Sequence, residues 1–255
     1  MSSLAERFDD AQQNARAIDP PVETRTMTTA DAYLAQHELL ARRLNRGERP
    51  VGIKLGFTSK AKMQQMGLHE SIAGQLTDSM RVEDRSAIEL AGLIAPRVEP
   101  EIAFRLAREF DPADVDDIVF AVDAVAPALD VIDSRVRDYA FDHGAVVADN
   151  ASAGAFAVGN WTPLDSATAA CVSNLAVTMY ADGRPREFGS TAAILGHPMR
   201  ALLALHRIAG AHGLVLRAGD IILAGAATAS IALVPGYYEA RLPMLGSVGI
   251  EASHG

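Results

Sequence analysis

Two glutamates, Glu99 and Glu101, stand two residues apart in the otherwise apolar stretch of residues 96–104 (PRVEPEIAF). Alternate residues of a β-strand point to the same face, so the two carboxylates are predicted to project together. Crowding two buried like charges is unfavourable, and a divalent cation such as Mg²⁺ or Mn²⁺ relieves the cost because it prefers oxygen ligands. A solvated edge strand with two outward glutamates explains the same pattern without a cation. The spacing alone leaves both interpretations open.

A lysine, Lys54, lies between Ile53 and Leu55 in a run that is otherwise apolar. A buried lysine loses hydration, which favours its neutral form and makes it a usable acid–base group. Alternatively, the aliphatic stem crosses the sheet while the ammonium group reaches solvent. Lys54 is therefore a candidate for proton transfer, with a structural role as the alternative.

The overall composition is that of a globular chain with an acidic balance. Of the 255 residues, 49% are hydrophobic and 22% are charged, and the formal net charge is -9. This acidity argues against nucleic acid as the main partner. No apolar run approaches the length of a membrane span and the N-terminus lacks a signal-peptide pattern, so a cytoplasmic location is predicted. Cys171 is the single cysteine, which excludes an internal disulfide.

Helical periodicity dominates the first fifty residues. Apolar residues recur at helical spacing over residues 4–18 and 28–44, and the stretch from Gly47 to Pro50 ends the second helix. From residue 51 onward, short apolar runs separated by Gly, Pro and Asp are typical of strands and loops. We therefore predict a helical N-terminal region over residues 1–50 and a catalytic domain over residues 51–255.

Short apolar runs predict the strands of the second region, and Asp182-Gly183 predicts a hairpin turn. Two helices interrupt them, one between Pro112 and Pro127 and one that begins at Pro198. Strands that do not alternate strictly with helices favour an α+β fold over a doubly wound sheet. The predicted strands are residues 51–56, 97–106, 128–133, 145–148, 153–158, 172–180, 221–225, 230–233 and 237–242.

Several segments together resemble, in the same order, the hydratase/decarboxylase group of the fumarylacetoacetate hydrolase superfamily. They are residues 52–59 (GIKLGFTS), 96–104 (PRVEPEIAF), 128–135 (ALDVIDSR), 147–152 (VADNAS), 195–198 (LGHP) and 218–225 (AGDIILAG). The resemblance spans roughly residues 28 to 250, and members of this group act on 2-oxo or 2-hydroxy dienoates in the meta-cleavage pathways of aromatic degradation. It implies an α+β fold in which a helical N-terminal region lies on a mixed β-roll of the type found in the C-terminal part of that superfamily.

The same resemblance implies a divalent cation, Mg²⁺ or Mn²⁺, held by three carboxylates. Two of them match Glu99 and Glu101, and the third falls at Asp130, where the family normally has a glutamate. The aspartate is one methylene shorter, which requires a closer strand, a bridging water or weaker binding. The neighbouring acid, Asp133, is three residues further on and is predicted to point to the other face of the strand.

Four further residues are assigned to the site by the resemblance. Lys54 matches a family lysine that shuttles protons, and Asp78 matches an acidic position on a loop near the substrate. Thr228 lies on a loop that borders the site and is a candidate for binding a substrate carboxylate. Ser152 is a candidate for substrate binding and is not expected to act as a nucleophile. A turn-forming role explains Asp78 equally well, and tight sheet packing explains the small residues around Thr228.

Other residues of these motifs receive structural interpretations. His197, before the predicted helix at Pro198, is interpreted as a helix cap or buried hydrogen-bond partner. Arg97 is interpreted as an ion-pair partner of Glu99, with substrate contact as the alternative. Arg135 is interpreted as an anchor for the strand end, or as a contact for a carboxylate.

The implied chemistry is that of a metal-dependent lyase. A 2-oxo acid offers its C1 carboxylate and C2 carbonyl to the cation, which acts as a Lewis acid, so that 2-oxo-3-hexenedioate (4-oxalocrotonate) loses its distal carboxylate without an organic cofactor. The alternative is a hydratase that adds water to 2-hydroxypenta-2,4-dienoate. Residues 61–67 (AKMQQMG), 193–198 (AILGHP) and 227–229 (ATA) look closer to the decarboxylases, whereas residues 152–156 (SAGAF) look closer to the hydratases. The decarboxylase is the preferred interpretation.

The expected partners are small molecules and related subunits. The substrate is a 2-oxo or 2-hydroxy dienoate, and neither nucleic acid nor a membrane is expected to bind. Self-association into a homo-oligomer is predicted, as is association with a paralogous hydratase or decarboxylase. A non-catalytic partner subunit and a small-molecule binding protein without turnover are the alternatives from other functional classes.

Overall fold

The structure, a computed structural model, describes residues 2–59, 70–111 and 113–254. Two parts of the sequence interpretation fall outside these ranges: the decarboxylase-like segment of residues 61–67, and Pro112 at the start of a predicted helix. None of the helices in the described ranges combines the length and the apolarity that crossing a bilayer requires.

Most helices of the described ranges begin at a side chain that caps the first turn. Thr28 caps the second helix in a capping box with Asp31, and its side chain accepts a hydrogen bond from Asp31 N at 3.1 Å. The last helix ends at Gly213, whose left-handed conformation suits a residue without a side chain. The helices are α1 Leu4–Gln13, α2 Thr29–Asn45, α3 Asp117–Ala121, α4 His143–Ala148, α5 Ser166–Cys171 and α6 Met199–His212.

The strands of the described ranges form two sheets. Their bounds, in chain order, are β1 Pro50–Gly56, β2 Ile72–Thr77, β3 Ser86–Glu89, β4 Arg97–Leu106, β5 Val122–Ile132, β6 Ala153–Val158, β7 Thr162–Pro163, β8 Ala176–Ala181, β9 Arg184–Ser190, β10 Ile221–Ala226, β11 Ile231–Ala232, β12 Gly236–Leu242 and β13 Gly246–Ser253. The larger sheet has the order β2-β1-β10-β4-β5-β6, with β11 beside β4 and β7 beside β5. The smaller sheet has the order β3-β13-β12-β8-β9. Two pairs, β1 with β10 and β3 with β13, are parallel, so both sheets are mixed.

The larger sheet curls until its two edge strands meet. Strands β2 and β6 contact each other, and Leu76 and Phe156 belong to the same buried apolar cluster. Asn150, just before β6, accepts a hydrogen bond from Gln75 N at 2.7 Å and donates one to Gln75 O at 2.8 Å. The sheet is therefore a roll with an inner and an outer face, which confirms the predicted α+β fold.

The main core lies on the outer face of the roll, against the smaller sheet. Val98, Ile102 and Phe104 of β4 are completely buried there, in one apolar cluster with Val248 and Ile250 of β13. Residues at the alternate positions of β4 point the other way, into the roll. The strand that carries Glu99 and Glu101 is thus held by apolar packing on its opposite face.

Two predicted elements are wrong, and each has a physical cause. Helix α1 ends at Gln13 and does not continue to residue 18, because Ile18 forms a parallel bridge with Val136. Residues 145–148, predicted as a strand, form helix α4, which Asp142 caps by accepting a hydrogen bond from Ala145 N. A run of four apolar residues does not distinguish a strand from a helix that is buried on all sides.

The remaining predicted elements form with altered bounds. The hairpin at Asp182-Gly183 is confirmed, since both residues have positive φ and join β8 to β9. Strand β5 begins at Val122, before the predicted residue 128, and this shortens the preceding helix to α3. Strands β2, β3, β7, β9 and β13 have no counterpart among the predicted strands. The domain boundary at residue 50 stays a prediction.

Candidate active site

Cross-strand pairing places four charged side chains on the inner face of the roll. Glu99 pairs directly with Asp130 of β5, and Glu101 lies two residues further along β4. Lys54 reaches the same face through β10, which pairs with both β1 and β4. Because paired residues share a face and alternate residues return to it, all four side chains point into the roll.

Three of these side chains form a buried carboxylate cluster. Glu99, Glu101 and Asp130 each contribute one oxygen, and these oxygens lie within 4.8 Å of one another. Gly225 N donates a hydrogen bond to Glu101 Oε2 at 2.8 Å, whereas Glu101 Oε1 is buried and accepts none within the described part of the chain. Three converging carboxylates with an orphaned buried oxygen are a donor set that fits Mg²⁺ or Mn²⁺.

The electrostatics of the cluster also favour a cation. Burial raises the pKa of Glu101 well above its ordinary value, and the charges of Asp130 and Glu99 raise it further. The Lys54 ammonium group and the Gly225 N–H lower this pKa without reversing its direction. A buried glutamate whose pKa is raised by neighbouring carboxylates is stabilised in its charged form by a divalent cation.

Lys54 is held from two sides next to the cluster. Its Nζ lies 2.5 Å from Asp130 Oδ2 and donates a hydrogen bond to Ala151 O at 3.0 Å. The side chain is 2% exposed, so the ammonium group does not reach solvent. An ammonium group carries three donors, and within the described residues these two contacts leave one for a further acceptor.

A short left-handed turn before β6 presents the Ala151 carbonyl to Lys54. Asn150, Ala151 and Ser152 have φ angles of 53°, 50° and 54°, in a region that costs residues other than glycine about 1–2 kcal/mol each. The side-chain bonds of Asn150 to β2 stabilise the turn. Gly74 allows its close approach, because a Cβ there would lie 2.4 Å from Asn150 O.

The cluster lies beneath a cavity of about 410 Å³ at the end of the roll where β1 and β10 finish and β4 begins. Lys54, Glu99 and Ser152 line its polar part. Phe57 and Phe141 line an apolar part, with ring centroids 6.5 Å apart and an edge-to-face arrangement. A cavity with one charged wall and one aromatic wall suits a small, partly apolar acid.

Most of the chain, residues 54–244, matches the family model described as Fumarylacetoacetate (FAA) hydrolase C-terminal. The chain belongs to this family. It is 46% identical over 255 residues to a 4-oxalocrotonate decarboxylase of a Pseudomonas species, with 99% of this chain and 98% of the relative covered. It is 37% identical over 251 residues to a 2-keto-4-pentenoate hydratase of Paraburkholderia xenovorans (strain LB400), with 97% and 93% covered.

A solved member of the FAA hydrolase family has the same fold over nearly the whole chain. It is the 4-oxalocrotonate decarboxylase from Pseudomonas putida G7 complexed with magnesium and adipate, with a TM-score of 0.91 and 35% identity. The alignment covers 98% of this chain and 96% of that one. The resemblance inferred from the ordered motifs is thereby confirmed at the level of the family and its hydratase/decarboxylase group.

Within this family fold, the structure brings five of the seven predicted site residues together. Lys54, Glu99, Glu101 and Asp130 form the buried group, and Ser152, which is 3% exposed, lines the cavity above it. Asp133 lies outside the group, as its position on the strand predicts. Its carboxylate accepts hydrogen bonds from Ile94 N and Ala95 N at 2.8–3.0 Å.

Asp78 is not brought to the cluster. Lys54 pairs with Gly74, and Asp78 is four residues further along, about 13 Å away at the rise of a strand. The direction of β2 thus carries Asp78 to the opposite end of the roll from the cavity. There Arg49 N and Arg49 Nε donate to its carboxylate at 2.9 Å each, and these bonds hold the pKa of Asp78 below its ordinary value.

Thr228 lies near the cavity but does not line it. Its hydroxyl group donates to Ala229 O at 2.8 Å, and a Cβ on Gly189 would lie 2.9 Å from its methyl group. The residues of this loop that do line the cavity are Ala226 and Ser230. The chain leaves β10 through a register shift at Ala226, and strand alternation therefore does not predict which side chains face inward.

Two arginines and a histidine of the motifs have identifiable contacts. Arg97 lines the cavity, and within the described residues it donates two hydrogen bonds to Ser230 in place of the expected ion pair with Glu99. Arg135 is buried in an ion pair with Asp149 and anchors the end of β5. His197 Nδ1 accepts a hydrogen bond from Met199 N at 3.2 Å at the start of α6. The sequence interpretation preferred an ion pair for Arg97 and kept substrate contact as the alternative, and its place in the cavity lining agrees with its period-two spacing from Glu99.

Proposed function

We propose that this chain is a divalent-cation-dependent lyase that decarboxylates 2-oxo-3-hexenedioate (4-oxalocrotonate) or a related 2-oxo acid. The observation that carries the proposal is the buried cluster of Glu99, Glu101 and Asp130 beside Lys54, beneath a cavity of about 410 Å³. The 46% identity to a 4-oxalocrotonate decarboxylase across 99% of this chain supports that choice of reaction. The solved relative contains adipate, a dicarboxylate with as many carbons as 2-oxo-3-hexenedioate.

Glu99, Glu101 and Asp130 are the residues that hold the cation, Mg²⁺ or Mn²⁺. Once bound there, the cation supplies Lewis-acid polarisation of a 2-oxo acid. The shorter side chain of Asp130 is compatible with this role, because Asp130 pairs directly with Glu99 and paired residues on adjacent strands lie only about 4.5–5.5 Å apart. The orphaned Oε1 of Glu101 and the raised pKa of this residue support the assignment.

Lys54 is the residue that moves the proton. When the distal carboxylate leaves as CO₂, its C–C bonding electrons pass into the conjugated 2-oxo system, and the resulting dienolate takes up a proton at its enol oxygen or at a carbon. The contacts of Lys54 with Asp130 and Ala151 O hold the ammonium group at the cavity wall, where it donates that proton and is reprotonated from solvent. Ser152 also lines the cavity and is the candidate for substrate binding, with its hydroxyl group at 3.4 Å from Asp149 Oδ2 in the absence of a substrate.

A hydratase acting on 2-hydroxypenta-2,4-dienoate is the second candidate, supported by the 37% identity to a 2-keto-4-pentenoate hydratase. The same residues serve it, with Lys54 moving a proton between oxygen and carbon. A non-catalytic subunit and a binding protein are disfavoured because they need neither a buried lysine nor an orphaned carboxylate. The homo-oligomer, the association with a paralogous enzyme and the cytoplasmic location remain predictions.

The proposal is tested by assaying the purified protein with 2-oxo-3-hexenedioate and 2-hydroxypenta-2,4-dienoate, with Mg²⁺ or with a chelator. We expect Mg²⁺-dependent release of CO₂ from the first substrate at the higher kcat/KM. Glu101→Gln should lower kcat at least about a hundredfold, since it removes a charged ligand of the cation. The matched control is Glu251→Gln, which changes an exposed glutamate of β13. Absence of Mg²⁺-dependent loss of either substrate would contradict the enzyme assignment.

A further inference from the structure

Arg97 continues the row of charged side chains on β4 beyond the carboxylate cluster. Arg97, Glu99 and Glu101 occupy alternate positions of one strand and so share its inner face. Glu101 is 1% exposed and Glu99 is 9% exposed, whereas Arg97 is only half-buried. The row therefore leads from the buried cluster towards the cavity mouth, and its outer end is a positive charge about 6.6 Å along the strand from Glu99.

The guanidinium group of Arg97 is fixed in place and still has donors to offer. Nε donates to Ser230 Oγ at 2.8 Å and Nη2 donates to Ser230 O at 2.7 Å. A guanidinium group carries five N–H donors, so within the described part of the chain these two bonds leave both hydrogens of Nη1 and one of Nη2. The edge formed by Nη1 and Nη2 has the geometry for two parallel hydrogen bonds with a carboxylate.

The surroundings of Arg97 leave this edge available to a ligand. Tyr139 also lines the cavity, but its hydroxyl group is engaged by Ala95 O and Ile132 O at 3.0 Å each. Asp138 is the other acidic residue of the cavity lining besides Glu99, and it is exposed at the rim, where water screens its charge. A half-buried guanidinium group with a free edge therefore faces the same cavity as the carboxylate cluster.

We propose that Arg97 binds the second carboxylate of a dicarboxylic 2-oxo acid whose 2-oxo end lies at the carboxylate cluster. The proposal rests on the proposed function, because that function places the 2-oxo end at Glu99, Glu101 and Asp130. Arg97 is then a specificity-determining residue that favours a dicarboxylate over the monocarboxylic substrate of a hydratase. Ser230 orients its guanidinium group.

The proposed contact affects binding and catalysis differently. During decarboxylation the C–C bond breaks, CO₂ leaves without charge, and the electron pair enters the 2-oxo system. The attraction between Arg97 and the departing carboxylate therefore weakens as the transition state is approached. An interaction that is stronger in the ground state lowers KM without raising kcat, so loss of Arg97 should raise KM and leave kcat undiminished.

The experiment compares two ligands by calorimetric titration in the presence of Mg²⁺. Adipate carries a second carboxylate, whereas 2-oxopentanoate has the 2-oxo acid group alone. Arg97→Gln should weaken adipate binding at least tenfold and change 2-oxopentanoate binding less than twofold. Arg97→Lys keeps the charge but not the two-bond geometry, so it should give an intermediate loss. The matched control is Arg105→Gln on the same strand, where the arginine pairs with Asp123 at the surface.

Kinetics with 2-oxo-3-hexenedioate provide the second readout, with KM expected to rise at least tenfold at an undiminished kcat. If Arg97→Gln weakens the binding of adipate and of 2-oxopentanoate equally, or lowers kcat at constant KM, Arg97 only anchors the Ser230 loop and the proposal is overturned.

If Arg97→Gln does not fold, Arg97→Lys decides the question. Wild-type affinity for adipate in that variant counts against the two-bond contact. Arg97-dependent adipate binding without turnover would refute the proposed reaction and leave this inference standing. If the wild type binds neither ligand, both proposals fail.

Discussion

Two clusters of buried acids meet at the end of β5, and they differ in how their charges are balanced. Asp130 and Asp133 are three residues apart and only 1% and 2% exposed. Asp130 belongs to the cation cluster, defined as Glu99, Glu101 and Asp130, in which carboxylates face one another. Asp133 belongs to the anchor cluster, defined as Asp133, Arg135 and Asp149, in which every carboxylate is met by hydrogen-bond donors.

The anchor cluster is saturated by donors from the backbone and from side chains. Arg135 Nε pairs with Asp149 Oδ1, and Arg135 N, Ser134 Oγ and Ser152 Oγ lie 3.1–3.4 Å from Asp149 Oδ2. Burial raises the pKa of Asp149 to about 6, against the effect of Arg135, and the carboxylate stays ionised at neutral pH. Arg135 Nη1 also donates to Asp133 O at 2.8 Å.

The way in which the carboxylate charges are balanced separates structural from functional acids more clearly than the degree of burial does. Both clusters are buried to a similar degree, so burial alone does not identify the site. In the anchor cluster hydrogen-bond donors offset part of the energetic cost of burial, although the pKa of Asp149 stays raised. In the cation cluster, burial and the neighbouring carboxylates together raise the pKa of Glu101, and Glu101 Oε1 accepts no hydrogen bond within the described residues. Opposite responses to mutation are therefore expected from the two clusters.

The largest effect is expected from Asp149→Ala in the anchor cluster. The substitution leaves the Arg135 guanidinium group, 1% exposed, without its carboxylate. Breaking a buried ion pair in this way costs about 3–5 kcal/mol, which urea unfolding at pH 7 measures. Asp149→Asn, which keeps an acceptor for the same donors, is the control and should lose less. A cost below about 1 kcal/mol would show that the pair is weak in spite of its burial.

The pH dependence of stability should also report on Asp149. Its pKa in the folded protein, about 6, is above the ordinary value of 3.8, so its contribution is fully present below the ordinary value and is lost as the pH rises through about 6. Between pH 4 and pH 7 the wild type should lose about 2–3 kcal/mol relative to Asp149→Asn. Urea titrations of both proteins at each pH measure this difference, and parallel pH profiles would contradict the assignment.

The cation cluster should respond to Glu101→Gln in the opposite direction. Without Mg²⁺, the substitution removes a buried like charge and keeps an acceptor for Gly225 N, so the free energy of unfolding at pH 7 should rise by about 1–3 kcal/mol. The gain should disappear below the ordinary pKa of Glu101, where the wild type is also neutral. Mg²⁺ should stabilise the wild type and not the variant. If Glu101→Gln instead destabilises the metal-free protein, Glu101 has a structural role like that of the anchor-cluster residues.

The sequence predicts these two clusters to different extents. Glu99 and Glu101 follow from strand alternation, because both lie on one element. Asp130 becomes their neighbour only through the register of β4 with β5, a pairing between distant parts of the chain, and only the family resemblance assigned it to the site. Asp78, assigned in the same way, lies at the other end of the roll because of the direction of β2.

Irregular backbone was the least predictable part of the site. The left-handed turn of Asn150, Ala151 and Ser152 contains no glycine. Asn150 is the one residue of the turn whose type favours this conformation, so the local sequence does not predict three consecutive left-handed residues. Its bonds to Gln75 exist only because the roll closes and brings β2 to the start of β6. The cavity wall formed by Ser152 and the Ala151 contact with Lys54 depend on that closure.

This turn connects the two clusters, and Ala151→Gly tests the connection with the smallest expected effect. Asp149 precedes the turn in the anchor cluster, and the Ala151 carbonyl reaches Lys54 beside the cation cluster. Glycine relieves about 1–2 kcal/mol of left-handed strain but loses about 0.5–1 kcal/mol through chain entropy, so stability should rise by at most about 1.5 kcal/mol. Ala204→Gly in the interior of α6 is the control and should destabilise the protein. If Ala151→Gly raises the free energy of unfolding and lowers kcat, the strained turn holds Lys54 in place. If it destabilises the protein as much as Ala204→Gly does, the anchor cluster does not compensate the strain.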